Sequence, residues 1–87
     1  MKDKKLTHNG NEVGLFAITA EMLDTVASPN QPMTEIKRQV NLADTLRDCG
    51  EECSLTPEDK TLIRSVLERS SLLPRLRLAA YDAFGED

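Results

Sequence analysis

Eighty-seven residues with a net charge of −4 make one small domain, and a poor start for a chain that must neutralise phosphates. Apolar residues are 39% of the chain and the only aromatics are Phe16, Tyr81 and Phe84, so the core has to be aliphatic, which suits helix packing. No apolar run approaches the roughly 20 residues needed to span a bilayer.

The opening "MKDKKLTHNG" begins basic, but no apolar stretch follows, so it does not read as a secretory signal. The expected location is the cytoplasm, where thiols stay reduced. Residues 1–12 are expected to form a polar N-terminal arm, mobile at its end, ahead of a single helical domain over 13–85. "HNGN", His8 to Asn11, carries the Asn-Gly pair that favours a two-residue hairpin turn, so a short β-hairpin or an extended arm is expected there.

Thr19 reads as the N-cap of a short helix whose Met22, Leu23, Val26 and Ala27 share a face. "SPNQP", Ser28 to Pro32, stops it. Thr34 reads as the cap of a second helix. One apolar stripe there holds Met33, Ile36, Val40 and Ala43, and an adjoining one holds Leu42, Leu46 and Cys49. Gly50 stands where a helix C′ glycine belongs. Thr56, Pro57, Glu58 and Asp59 give the clearest helix start in the chain, with Leu62, Ile63, Val66 and Leu67 as its core face. In the last segment Leu72, Leu73, Leu76, Ala79, Ala80, Ala83 and Phe84 share a face. Pro74 is tolerable only in a first turn, which sets that helix start near Ser71. The fold expected is mainly α: a small bundle of three to four helices, with a short N-terminal β-hairpin or extended arm.

Little here resembles catalytic or metal chemistry. Cys49 and Cys53 stand four apart, off the C-x2-C spacing of zinc and redox motifs, and His8 is the only other soft ligand. Glu51 and Glu52 raise rather than lower thiol pKa values, so the cysteines read first as structural thiols at a helix end, with a disulfide or redox pair as the second reading and a metal clip as the third. The run "DCGEECSLTPED" lacks the ligand order of a Ca²⁺ loop. His8 has no nucleophile or orienting acid at a recognisable spacing, and no Gly-rich phosphate loop occurs. The chain is expected to be no enzyme and to need neither metal nor cofactor.

Charge is unevenly spread. Asp44 to Asp59 holds six acids against Arg47, whereas Lys60 to Leu78 holds five bases against Glu68. The basic half could serve a helix-turn-helix DNA reader, but "LLPRLRL" is too apolar to offer base contacts from its start. A protein partner or a second copy of the chain fits better. Leu78 and Tyr81 fall away from the expected core stripe, beside Arg75 and Arg77, a composition typical of interface centres. The acidic junction of Asp48, Glu51 and Glu52 is the expected complementary surface.

In its order of short elements the chain resembles small accessory proteins encoded by bacteriophages. The order is "GLFAITAEMLD", a Pro-containing linker, "MTEIKRQVNLADTLRD" and then "LTPEDKTLIRSVLE". The resemblance implies a role in virion assembly or in binding host factors, in host cytoplasm or virion, and transfers no functional residue.

Overall fold

The computed structural model describes residues 1–8 and 10–85, and His8 by its backbone alone. Two strands, β1 (Lys5–His8) and β2 (Asn11–Gly14), precede four helices: α1 (Leu15–Thr25), α2 (Met33–Asp48), α3 (Pro57–Arg69) and α4 (Pro74–Gly85). The strands pair antiparallel, with Lys5 opposite Gly14 and Leu6 opposite Val13. Gly10 follows at φ +80°, a region that Gly enters without steric cost. The expected hairpin is therefore present; Asn9 and the side chain of His8 lie outside the described residues.

The helices pack as two local pairs. α1 lies on α2, α3 lies on α4, and β1 lies against α4. The core between them is aliphatic and centred on Leu15, Leu23, Leu46, Ile63 and Leu67, with Phe16 and Phe84 as its only aromatic members. Its Cα radius of gyration, 12.2 Å, matches the roughly 12 Å of a compact chain this long.

The first residues of the arm are hydrogen-bonded to the turn between α2 and α3. The Met1 ammonium donates to the Cys53 carbonyl at 2.8 Å, and the Cys53 N–H donates back to the Met1 carbonyl at 2.8 Å. The Asp3 N–H donates to the Glu51 carbonyl at 2.7 Å. Met1 and Leu6 pack on the core, and a boundary after residue 12 would cut β2. Polarity misled here because backbone hydrogen bonds hold this segment together with the side chains of Met1, Asp3 and Leu6.

Caps also shift. Thr19 lies inside α1, 1% exposed, because Gly14 starts the helix and Asp3 supplies the missing acceptor across the hairpin. Thr34 is likewise inside α2, whose N-cap is Pro32. Thr56 does cap α3, in a reciprocal box with Asp59 at 3.1 Å each way. α4 starts at Pro74 itself, three residues after the expected point, with Arg77 N–H donating to the Leu73 carbonyl at 2.9 Å.

Burial on α2 differs from the apolar pattern. Met33 and Val40 are 75% and 42% exposed, while Gln39 is 2% exposed. The Gln39 amide donates to the Leu23 and Val26 carbonyls at 3.1 and 2.9 Å, and its oxygen accepts from Gln31. Buried carbonyls at the end of α1 need donors, and a glutamine supplies two. On α4, Leu73 and Ala79 are exposed, because the late start takes Leu73 off the helix and leaves Leu76, Ala80, Ala83 and Phe84 as the core face. Ala27 lies beyond the end of α1 and is exposed too.

The cysteines correct the reduced-thiol expectation. Cys49 ends α2, Gly50 turns the chain at φ +70°, and Cys53 comes back with its Cα 5.1 Å from that of Cys49, joined in a disulfide. The cytoplasmic expectation thus loses its thiol argument.

Candidate protein-contact surface on the last helix

α4 is amphipathic about a late start. With Leu76, Ala80, Ala83 and Phe84 turned inward, helical spacing turns Arg75, Leu78, Ala79 and Asp82 outward, and all four are exposed. Leu78 is 61% exposed, at the middle of that face.

Arg77 and Tyr81 flank it on the side toward α3. The Tyr81 ring lies under the guanidinium of Arg64, 4.1 Å from ring centroid to Cζ, and its hydroxyl donates to a Glu68 carboxylate oxygen at 3.4 Å. Among the described residues Arg64 Nε is buried without a hydrogen-bond partner, and its guanidinium stacks on Tyr81. Arg77 donates to the Leu72 carbonyl at 3.3 Å, tying α4 back to the connection before it. Pro74, Arg77, Leu78, Tyr81 and Glu68 enclose an open recess of about 210 Å³. Its walls are mainly carbon.

Of the residues singled out in the sequence, the structure brings Arg77, Leu78 and Tyr81 together at this recess and sets Arg75 on the adjoining outward face. Asp48, Glu51 and Glu52 gather instead at the α2–α3 junction, with exposed side chains. The backbones of Glu51 and Glu52 there pair with Asp3 and Lys2. Sequence reading places Arg64 and Glu68 only in the charge balance of the basic half, not at this recess, and passes over Asp82. Arg64 and Glu68 stand four apart on the face of α3 that meets α4, and Asp82 stands four beyond Leu78, so helical spacing carried the signal.

A larger groove, about 540 Å³, opens between the starts of α2 and α3, where Pro32, Glu35, Arg38, Pro57 and Glu58 line it. Glu35 is already engaged with Arg69 at 3.4 Å, and the remaining side chains form no convergent acid–base or nucleophile set. Among the described residues, no three of His, Cys, Asp and Glu group as a metal site, and no helix is long and apolar enough to cross a membrane.

Compared with protein-family models, curated proteins and solved structures, the chain has no match.

Proposed function

We propose that this chain is a non-catalytic protein–protein contact module, a piece of a larger assembly or an adaptor, that docks through α4. The observation that supports it is Leu78, 61% exposed beside a carbon-lined recess walled by Tyr81 and Arg77. An isolated exposed leucine is ordinary. A leucine next to a tyrosine and an arginine, in a recess, has the make-up of an interface centre. The acidic junction of Asp48, Glu51 and Glu52 offers a second, oppositely charged surface for a basic partner.

Light scattering on the purified chain at low and high salt tests the self-associating form. The expected result is an assembly larger than one chain that shrinks in a Leu78→Ala, Tyr81→Ala double variant. A monomer at both salt levels, unchanged by the double variant, would sink it.

The DNA-binding alternative has less support. Arg64 stacks on Tyr81, Arg69 pairs with Glu35, and Arg77 bonds to Leu72, so three of the basic side chains it needs are engaged inside the fold. It predicts a salt-dependent shift of duplex DNA, lost in an Arg75→Ala, Arg77→Ala variant.

A further inference from the structure

We infer that the outward face of α4 pairs with the same face of a second copy, antiparallel, about a two-fold axis passing between Leu78 and Ala79. This rests on the reading of α4 as a contact face, and names its occupant.

The face is self-complementary. Arg75 and Asp82 lie seven residues apart, two turns of helix or about 10 Å of rise, with Leu78 and Ala79 between them. All four are exposed on one side of α4. Among the described residues, neither Arg75 nor Asp82 is held in an ion pair. A two-fold axis at the centre sets Leu78 opposite Ala79 of the second copy, a large side chain against a small one, so the helices approach closely. The same operation sets Arg75 opposite Asp82 of the second copy, and Asp82 opposite its Arg75. Both ends of the contact are then attractive, as an isologous interface requires.

The competing arrangements fare worse on charge. A parallel pair sets Arg75 on Arg75 and Asp82 on Asp82, repulsive at both ends. Docking of α4 on the acidic junction satisfies Arg75 but brings Asp82 toward Asp48, Glu51 and Glu52, all of one sign. Only the antiparallel pair uses every charge on the face.

The contact is short. Four exposed side chains from each copy, extended by Leu73 just before the helix, fall below the roughly 800 Å² per partner of a standard stable complex. The dimer is therefore weak, forming at micromolar to millimolar concentration, and weakens with salt.

Sedimentation equilibrium of the full chain over that range, at low salt, tests it with Arg75→Asp, Asp82→Arg, the two substitutions combined in one chain, and an equimolar mixture of the two single variants. Circular dichroism checks that each folds. Each single variant alone is expected to lose about tenfold in affinity, since two attractive pairs become repulsive. The combined variant recovers the wild-type affinity, and the mixture forms a heterodimer, because in both cases every cross-pair is again opposite in sign. If Asp82→Arg associates as well as wild type while Arg75→Asp does not, α4 docks on the acidic junction and the antiparallel pair is overturned, with the contact role of α4 intact. Failure of the combined variant to recover overturns it equally. Association unchanged by every α4 variant, including Leu78→Ala with Tyr81→Ala, removes the α4 reading as well, and a wild-type monomer throughout the range removes any dimer.

Discussion

The carboxylate of Asp3 accepts the N–H of Phe16 at 2.9 Å, so a residue ahead of β1 caps the helix that follows β2. Gly14, at the N-cap position, has no side chain to do this, and Asp3 replaces it, thirteen residues before the Phe16 N–H it accepts. Replacing Asp3 with Ala is expected to cost about 1 kcal/mol, the usual worth of an N-cap. Asp3→Asn, which keeps an acceptor oxygen, should retain most of it. Urea unfolding gives the stability, and amide exchange at Phe16 locates the loss. Equal stability of Asp3→Ala and wild type would remove the cap from the account.

Gln39 performs the same service at the other end of α1. Replacement by Leu keeps the volume but leaves the Leu23 and Val26 carbonyls without their donors. A loss of roughly 2 kcal/mol is expected, from unpaired buried acceptors. The unfolding midpoint should fall while the denaturant slope holds. A Leu variant as stable as wild type would mean that the apolar gain outweighs both hydrogen bonds.

Thr19 predicts the opposite sign. Its side-chain oxygen is buried with no partner among the described residues. Thr19→Val exchanges that hydroxyl for a methyl of similar size, and should leave stability unchanged or raise it by about 1 kcal/mol. Thermal unfolding checks it, and a clearly lower midpoint would show that the hydroxyl is used.

The disulfide closes a very short loop, with Cys49 and Cys53 four positions apart. Constraint of the unfolded chain by so small a loop is worth about 2 kcal/mol. Treatment with a dithiol, or a Cys49→Ser, Cys53→Ser variant, should lower stability by that amount. It should also speed amide exchange at Cys53 and Asp3, where the first residues pair with the turn. Intact mass with and without a thiol-alkylating reagent reads the redox state directly. Full alkylation of the native, untreated protein would show that the bond is absent.

Much of the fold was legible because apolar spacing and end signals agreed over α3, where Thr56, Pro57 and the Leu62–Leu67 face all held. The reading failed where an element borrows from afar. Thr19 has the identity of a cap, yet Asp3 fills that role through the hairpin, and nothing local to Thr19 tells the two apart. Gln39 belongs to no apolar stripe, and no sequence pattern says that two carbonyls wait beside it. Met33 and Val40 belong to an apolar stripe in the sequence, but the packed face of α2 runs through Gln39, Leu42, Ala43 and Leu46 and leaves both exposed. On α4, Leu78 and Tyr81 were recognisable as outside the core stripe. Asp82 was not, since an exposed acid on a helix carries no mark until the outward face is known.

The pairing of Met1 to Asp3 with Glu51 to Cys53 also orders events in time. α1 with α2, and α3 with α4, are neighbours along the chain, and such local contacts form early in folding. The first three residues meet the turn across about fifty residues of chain, and that closure has to wait for the helices. Interactions formed after the transition state govern escape from the native state more than arrival at it. A variant lacking Met1 and Lys2, which loses their pairing with Cys53 and Glu52, should therefore unfold faster and refold at nearly the same rate, which makes the first residues of the chain its latch.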